Sequence, residues 1–328
     1  MNEFVHLNLI GRSPAFLRQL SLFARYATCD ATVLIEGETG TGKELIARAI
    51  HYLSRRRGLP FVALNCGALP DGLVESELFG HFRGAFTDAK ETRPGLVAQA
   101  RGGTLFLDEV EAMSPHAQVA LLRFLQDKEY RPVGGAVVKD ANVRILASSN
   151  ADLKDMVQRG AFRSDLLYRL DVLPLHLPPL RERDGDVMLL AEAFVERLNQ
   201  ESGASPKTLH ASAAALLNAR TWPGNVRELE NVIQRQFVLS PGPIIDFTEH
   251  EAPAGQRDER AGPEPFNVAK ARAVAQFERA YVSALLAATS GNLSVAARLA
   301  GKDRSDIGRL VRKHGVDRGQ FLRRRHVT

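Results

Sequence analysis

The chain has 328 residues, of which 45% are hydrophobic and 25% are charged, and this balance excludes wholesale disorder. It contains no run of about 18 apolar residues, no secretory-signal pattern in its first ten residues and only two cysteines, so we predict a reduced, cytoplasmic chain without a membrane span. The net charge of +5 is uneven: residues 266–328 carry +9 and the remainder −4, which favours a polyanionic partner for the basic segment over a merely solubilising end.

Four short apolar segments predict strands, and helical patterns separate them. This alternation predicts the α/β class, with a parallel sheet flanked by crossover helices and with ligands at the carboxyl ends of the strands. The predicted strands are Thr32–Glu36, Phe61–Asn65, Thr104–Asp108 and Arg144–Ser149.

Beyond these strands the pattern changes twice. From about Leu180 to Leu239 it is helical only, and His250–Pro265 is rich in proline, glycine and charge, which is typical of a linker. We therefore predict an α/β subdomain at residues 1–175, a helical subdomain at 176–249, a linker at 250–265 and a C-terminal domain at 266–328.

A glycine-rich loop follows the first predicted strand and precedes the helical segment Leu45–Leu53. Its glycines let backbone N–H groups surround an anion, the helix adds its positive end, and Lys43 reaches the β- and γ-phosphates. A plain glycine turn is the alternative, but the strand–loop–helix context favours a nucleotide site. Glu44 stands where such loops usually carry a Ser or Thr hydroxyl for Mg²⁺. The predicted nucleotide-binding residues are Gly37, Glu38, Thr39, Gly40, Thr41, Gly42, Lys43 and Glu44.

Two adjacent carboxylates end the predicted strand Thr104–Asp108. Asp108 is suited to the shell of a Mg²⁺ ion, in part through water, and Glu109 is suited to polarising an attacking water. A solvated turn is the alternative interpretation, and the phosphate loop upstream weakens it.

Together these segments give the chain its family resemblance. It resembles the AAA+ ATPase domain of bacterial enhancer-binding proteins, the activators of sigma-54 RNA polymerase, and most of all the PspF-like members that lack a receiver domain. This resemblance implies a P-loop ATPase with a helical lid, with ATP and Mg²⁺ as cofactors. It rests on six motifs: GETGTGKE at 37–44, ESELFGH at 75–81, GGTLFLDE at 102–109, FRSDLLYRL at 162–170, LPPLRER at 177–183 and WPGNVRELEN at 222–231.

The resemblance assigns roles to further residues. Asn65 holds the catalytic Glu109 and reports the γ-phosphate, and Asn150 lies in the sensor I region, where it helps orient the water. Arg227 matches sensor II of the lid, whereas Trp222 is expected to serve packing. Ile10 and Gly11 are expected to line the adenine pocket.

The resemblance also implies a ring. Arg163 and Arg169 match the fingers that stabilise phosphoryl-transfer charge in the neighbouring subunit's site, so a monomer would hold an incomplete site. We therefore expect assembly from a dimer to a closed hexamer. Two arginines in surface salt bridges remain the alternative.

The loop GAFTDA at residues 84–89 departs by one residue from the family's sigma-54-contacting GAFTGA signature. Phe86 and Thr87 are retained and Phe86 is expected to be exposed, the alternative being a buried helical residue. Asp88 replaces the second glycine; aspartate tolerates positive φ, yet it adds about six negative charges to a hexamer. The insertion Asp127–Ala141 is expected to form a turn that supports this loop.

The C-terminal domain resembles a Fis-type helix-turn-helix that binds double-stranded enhancer DNA. Its expected parts are a dimerising helix at Val268–Ala288, a helix capped by Ser294, and a recognition helix at Asp303–His314. Gly308 is unexpected in that last helix. A pair of helices used only for dimerisation is the alternative. The expected DNA-contacting residues are Arg304, Ser305, Arg309, Arg312 and Lys313, with a nonspecific contact from Arg323–Arg325.

Two functions compete. The first is an ATP-driven activator of the sigma-54 RNA polymerase holoenzyme. The second, suggested by Asp88, is a DNA-binding regulator of other promoters with a weak or vestigial ATPase; a non-transcriptional remodeller is disfavoured by the C-terminal domain. Since no sensory stretch is recognisable before Gly11, control by a separate inhibitor protein is one expectation.

Overall fold

The structure is a computed structural model that describes residues 9–68, 71–86, 89–203, 205–245, 247, 278, 281–282, 285–286, 289 and 291–313. The chain divides into two compact units, residues 1–250 and 251–328. Thr87, Asp88, the linker at 250–265, most of the helix expected at 268–288 and Arg323–Arg325 lie outside the described residues, so their predictions stay predictions. Within the described ranges, no helix is both long and apolar enough to cross a membrane.

The described elements are as follows, in chain order. The strands are β1 Val33–Glu36, β2 Phe61–Asn65, β3 Gly80–His81, β4 Arg93–Pro94, β5 Thr104–Asp108, β6 Glu129–Tyr130, β7 Lys139–Asp140, β8 Arg144–Ser149, β9 Leu173–His176, β10 Thr208–Leu209 and β11 Ile244–Ile245. The helices are α1 Pro14–Ala27, α2 Lys43–Tyr52, α3 Val74–Phe79, α4 Leu96–Gln99, α5 Pro115–Asp127, α6 Leu153–Gln158, α7 Ser164–Leu170, α8 Asp186–Ser202, α9 Ala213–Asn218, α10 Asn225–Leu239, α11 Leu293–Leu299 and α12 Arg304–Lys313.

A parallel sheet with strand order β2-β5-β8-β1-β9 forms the centre of the first unit. Successive side chains of a strand point to opposite faces of the sheet, and these strands are buried at consecutive positions, so both faces of the sheet are covered. Leu105 and Leu107 join a core with α3, α5 and α7, whereas Phe106 joins a second core with α1 and α2. The register pairs Asn65 with Asp108, so the polar strand ends lie side by side at one edge.

The sheet confirms the predicted α/β class and three of the four predicted strands with their bounds, while β1 begins one residue late. Sequence reasoning missed β9, an edge strand whose partner within the described part of the chain is β1. Its sequence Leu-Pro-Leu-His contains a proline and no β-branched residue, so its propensity is poor for a strand. The proposed boundary at residue 175 falls inside this strand.

The lid is made of α8, α9 and α10 around a core that includes Trp222. Trp222 is 1% exposed and its indole N–H donates to the Leu217 carbonyl at 2.9 Å, which confirms its packing role. The expectation of a purely helical segment was wrong, because β10 pairs in parallel with β11 just after α10. Two-residue strands are too short to give a periodic signal.

In the second unit α11 and α12 are joined by a short turn at Gly301, where φ is +60°. Ile307 and Val311 of α12 are buried in one core with Ala296 and Ala297 of α11. The predicted cap is wrong: Asn292, not Ser294, caps α11, and its side chain accepts hydrogen bonds from the N–H groups of Ser294 and Val295. A Cβ at Gly308 would meet no atom within 4 Å, so nothing in the described residues explains this glycine.

Candidate nucleotide site

The phosphate loop joins β1 to α2 and folds over the side chain of Lys43. Lys43 is only 6% exposed, and its Nζ donates to the carbonyls of Gly37 at 2.7 Å and Glu38 at 3.1 Å, and to Oδ1 of Asn150. Burial lowers the pKa of Lys43, and the carboxylates of Asp108, Glu111 and Glu109 oppose that effect. The ammonium is therefore held at the centre of the loop, where it faces the strand ends.

Gly40 lies where the backbone of this loop packs against the backbone of the lid. Its φ of +80° is in the left-handed region, and a Cβ there would lie 2.2 Å from the carbonyl oxygen of Gly224. The N–H of Val226 donates to the Gly40 carbonyl at 3.0 Å. Any side chain at position 40 would push the lid away from the loop.

Glu109 is held by two amides. Asn65 donates to its Oε2 and Asn150 to its Oε1, each at 3.2 Å. The Oδ1 of Asn65 accepts from the N–H groups of Gly67 and Ala68, which fixes the orientation of that amide. Glu109 itself has φ +57° and ψ +51°, a left-handed conformation that is strained for this residue type. The orientation of the Glu109 carboxylate is therefore set by its backbone and by the amides of Asn65 and Asn150. The expected proximity of Asn65 and Glu109 is confirmed.

Asp108 lies beside Glu109 and accepts a hydrogen bond from the hydroxyl of Ser148. A third carboxylate, missed by sequence reasoning, is Glu111: it accepts from the N–H of Asn150 at 2.9 Å, while its buried Oε2 has no hydrogen-bond partner among the described residues. The described residues contain no cluster of three metal-ligating side chains. A metal ion here would thus depend on Asp108 and on phosphate oxygens, which is how proteins usually hold Mg²⁺.

A cavity of about 690 Å³ opens between the loop and the lid. Most of the predicted residues line it, and the lid adds an apolar end that sequence reasoning missed, namely Leu190, Phe194 and Val226. The apolar pattern of α8 gave no signal beyond an ordinary lid core. The predicted residues that line the cavity are Ile10, Thr39, Gly40, Gly42, Lys43, Glu44, Asp108, Glu109, Asn150 and Arg227.

Other predicted residues lie near the cavity without lining it. Gly11 packs instead beside Phe16 and Arg183, and Gly37 lies against Leu177 at the start of the loop. Thr41 is buried and its hydroxyl donates to the Glu38 carbonyl at 2.7 Å.

Glu38 points away from the cavity and towards the lid. Its carboxylate accepts two hydrogen bonds from Arg181, at 2.6 and 2.8 Å, and one from Asn225 at 3.1 Å. The Arg181 contact, followed by that of Asn225, lowers the pKa of Glu38. This residue therefore serves as an anchor for the lid.

The lid is also attached to the N-terminal segment through a buried ion pair. Asp186 is 0% exposed and accepts from the N–H groups of Arg12 and Ser13, from the Ser13 hydroxyl, and from Nε of Arg183 at 2.9 Å. Arg183 in turn donates to the Ile10 carbonyl at 2.8 Å. The pair thus fixes Ile10 and α8, two walls of the cavity, to each other.

Arg163 and Arg169 lie at the surface, outside the cavity of their own chain. Arg163 pairs with Asp165 at 2.8 Å, which raises the pKa of Arg163 and lowers that of Asp165. Between them Tyr168 is 80% exposed. The two predicted fingers therefore lie away from the nucleotide cavity of their own chain.

Phe86 lies at the end of the described part of the GAFTDA loop. Its ring is half-buried and meets the edge of His81 at a centroid distance of 5.0 Å, so the expectation of an exposed Phe86 was wrong. The insertion 127–141 packs against the segment that leads into this loop: Val133 forms backbone hydrogen bonds with Phe82 at 3.0 Å and with Gly80 at 2.8 Å. Its support of the loop itself stays a prediction.

The five predicted DNA-contacting side chains are all exposed on α12. Lys313 pairs with Glu278 at 2.6 Å, and Arg309 lies 3.4 Å from Asp306. Arg304 and Ser305 lie in the first turn of the helix, and Nε of Arg312 donates to the Gly308 carbonyl in the last.

Comparison with known proteins agrees with this geometry. Residues 9–176 match the sigma-54 interaction domain and residues 181–264 the AAA+ ATPase lid domain. The chain is 43% identical over 314 residues to the transcriptional regulatory protein GlrR of Escherichia coli K12, covering 95% of this chain and 69% of that protein. It is 51% identical over 243 residues to NtrC of a Bradyrhizobium, covering 74% of this chain and 50% of that protein.

Solved structures give the same result. NtrX from Brucella abortus, determined in complex with ADP, is 34% identical with a TM-score of 0.68, covering 94% of this chain and 69% of that one. A structure of the same protein with ATP aligns equally well, with a TM-score of 0.68.

The fold and the site define a P-loop ATPase of the AAA+ class. Within that class, the chain belongs to the sigma-54-dependent transcriptional activators, the bacterial enhancer-binding proteins. It is an ATP-binding ATPase that acts in sigma-54-dependent transcription, and nothing in these matches favours the alternative of a vestigial ATPase at other promoters.

Proposed function

We propose that the chain binds double-stranded DNA upstream of promoters and, in a ring of identical subunits, uses ATP hydrolysis to remodel the closed complex of sigma-54 RNA polymerase. The observation that carries the proposal is the position of Glu109, whose two carboxylate oxygens are held by Asn65 and Asn150 beside the buried Lys43. A carboxylate held in this way is preorganised to polarise water before the nucleotide arrives.

In the proposed site the phosphates lie in the loop and the adenine lies between Ile10 and the apolar residues of the lid. Lys43 neutralises the β- and γ-phosphates, and Glu109 accepts a proton from the attacking water while Asn150 orients it. Arg227 reaches the phosphates from the lid. A bound Mg²⁺, held by Asp108 and phosphate oxygens, would supply charge neutralisation at the transferred group.

The hydrolysis roles are tested with two variants. Lys43→Ala should abolish nucleotide binding, and Glu109→Gln should retain it while single-turnover hydrolysis falls about 10³-fold, in line with the loss of a positioned base. Retained affinity in the first variant, or normal turnover in the second, refutes the assignment.

The proposed fingers, Arg163 and Arg169, are suited to action in trans because they are exposed outside their own cavity. A mixture of Arg169→Ala and Lys43→Ala subunits should recover part of the hydrolysis that each lacks alone, because some interfaces then combine an intact loop with an intact finger. No recovery at protein concentrations where light scattering detects rings would refute the arrangement.

Coupling to the polymerase is proposed to run through the segment that follows β2. Asn65 ends that strand and contacts Glu109, and the chain then leads through α3 and β3 to Phe86. Binding and hydrolysis of ATP would change the contact between Asn65 and Glu109, and the Phe86–Thr87 loop would move against the sigma factor in response. Thr87→Ala should spare ATPase activity and impair open-complex formation; equal loss of both would contradict this route.

The effect of Asp88 is tested by restoring glycine. If Asp88 weakens sigma-54 contact through its charge, Asp88→Gly should increase activation at fixed ATPase activity, and the gain should shrink as salt rises. Unchanged activation would mean that the loop tolerates the carboxylate.

The second unit is proposed as a helix-turn-helix with α12 in the major groove. Replacing Arg304 by Ala should weaken binding to an enhancer fragment and reduce the salt dependence of binding. We propose an α/β subdomain that ends after β9, a lid that extends to residue 249, a linker at 250–265 and a DNA-binding domain at 266–328. We also propose that the protein acts in the cytoplasm under a separate inhibitor protein. Genome-wide mapping of bound DNA should find sites upstream of −24/−12 promoters.

A further inference from the structure

Asn225 lies where the lid meets the phosphate loop, at the first residue of α10. It is 0% exposed, and its φ of +52° is in the left-handed region that asparagine tolerates better than most residues. A left-handed backbone and a buried amide both cost free energy, and hydrogen bonds from the amide have to offset that cost.

Each polar atom of the Asn225 side chain has partners. Its Oδ1 accepts from the N–H of Leu180 at 2.7 Å, and its Nδ2 donates to Oε2 of Glu38 at 3.1 Å and to the carbonyl of Thr39 at 3.0 Å. A weaker contact reaches the Pro223 carbonyl at 3.4 Å. One side chain therefore joins the phosphate loop, the start of α10 and the segment that leads from the sheet to the lid.

The next residues of α10 continue this junction. The N–H groups of Val226 and Arg227 approach the Gly40 carbonyl at 3.0 and 3.4 Å. Arg227 lines the cavity, and its charge is close enough to lower the pKa of Lys43. The position of the guanidinium thus depends on how firmly the first turn of α10 is held to the loop.

We propose that Asn225 is a positioning residue for hydrolysis: it fastens α10 to the phosphate loop so that Arg227 is held over the transferred phosphate. The proposal rests on the phosphate role of Arg227. A displacement of about 1 Å in a catalytic group can cost about 10² in rate, so loss of this junction is expected to affect turnover more than nucleotide binding.

The sharpest variant is Asn225→Asp. It preserves side-chain volume and the acceptor for Leu180, but it places a carboxylate oxygen against Glu38 and the Thr39 carbonyl, where the amide had donated. The matched control is Asn231→Asp, the same chemical change at an exposed position on the same helix. Trp222, the only tryptophan, lies three residues before Asn225 and reports by its emission whether the lid core stays packed.

Single-turnover hydrolysis is measured in the wild type, in each single variant and in the double variant with Arg227→Ala. We expect Asn225→Asp to lower the rate about 10²-fold in the wild-type background and less than about threefold in the Arg227→Ala background, while affinity for a non-hydrolysable ATP analogue changes less than about tenfold. Adding Glu38→Gln, which offers an amide to the new carboxylate, should restore part of the lost rate.

The proposal is overturned if Asn225→Asp leaves the rate unchanged, or lowers it by the same factor in both backgrounds, since the residue would then act independently of Arg227. Normal turnover of Arg227→Ala alone would instead refute the role of Arg227 itself. If the emission of Trp222 shows that Asn225→Asp unpacks the lid, the smaller Asn225→Ser is used in the same cycle with the same criteria.

Discussion

The buried pair of Asp186 and Arg183 should be the most sensitive point of the lid. Asp186→Asn keeps the shape of the side chain but removes its charge, so the Arg183 guanidinium, on a side chain only 3% exposed, is left in the interior without a counter-ion. Burial already lowers the pKa of Arg183 and the Asp186 contact opposes that effect. The two carboxylate oxygens of Asp186 accept four hydrogen bonds. In asparagine one of these oxygens is replaced by an NH₂ group, which donates instead of accepting, so the bonds to that atom are lost.

The magnitude follows from these contacts. Removing one partner of a buried ion pair costs about 3–5 kcal/mol. The asparagine carbonyl can keep part of the hydrogen bonding, so we expect about 3 kcal/mol. For a body of this size, a loss of that amount lowers the melting temperature by about 6–12 °C. Since Ile10 and α8 form walls of the cavity, the KM for ATP should rise more than kcat falls.

The assay is urea unfolding followed by the emission of Trp222, together with steady-state ATPase kinetics. Asp155→Asn is the matched control, because Asp155 pairs with Arg159 at the surface, where such pairs contribute about 0.5 kcal/mol or less. A cost below about 1 kcal/mol for Asp186→Asn, or a cost equal to that of the control, would refute the reasoning.

Three further outcomes are expected. A thiol reagent should modify the exposed Cys29 but not Cys66 in the folded protein, because Cys66 is buried and burial raises the pKa of its thiol; rapid modification of both would contradict its placement. Burial raises the pKa of Glu36, so its contribution to stability is present at low pH and is lost as the pH rises from about 4.5, where the unfolded group titrates. Glu36→Gln should therefore flatten the decline in unfolding free energy towards pH 7, and an unchanged slope would assign that decline to other groups. Gly308→Ala should stabilise α12 by about 0.5–1 kcal/mol, since the new methyl meets no atom of the described chain; destabilisation in thermal unfolding would reveal a contact there.

The sequence predicted the site best where its functional residues are consecutive in the chain. The phosphate loop and the pair Asp108–Glu109 each follow a strand directly, and parallel strands bring their carboxyl ends to one edge, so their meeting could be predicted. Asn65 was located by the same rule together with the family resemblance.

The remainder depended on partners distant in sequence. Asn225 and Asp186 act through residues more than 170 positions away, at Glu38 and Ser13, and no local pattern marks such contacts. Sequence reasoning assigned no role to Glu111, whose contact with the N–H of Asn150 spans 39 positions.

The order of the strands in the sheet also determines how many neighbours hold each strand. β2 is at the margin of the sheet and, among the strands that the structure describes, pairs with β5 alone, so one ladder of backbone hydrogen bonds holds it. The strand that carries Asn65 is therefore held by one such ladder, whereas β5 and β8, which end at Asp108 and just before Asn150, are each held by two. The fold thus places Glu109 and Asn150 directly after strands that are paired on both sides, and it is the strand paired on one side that leads to Phe86.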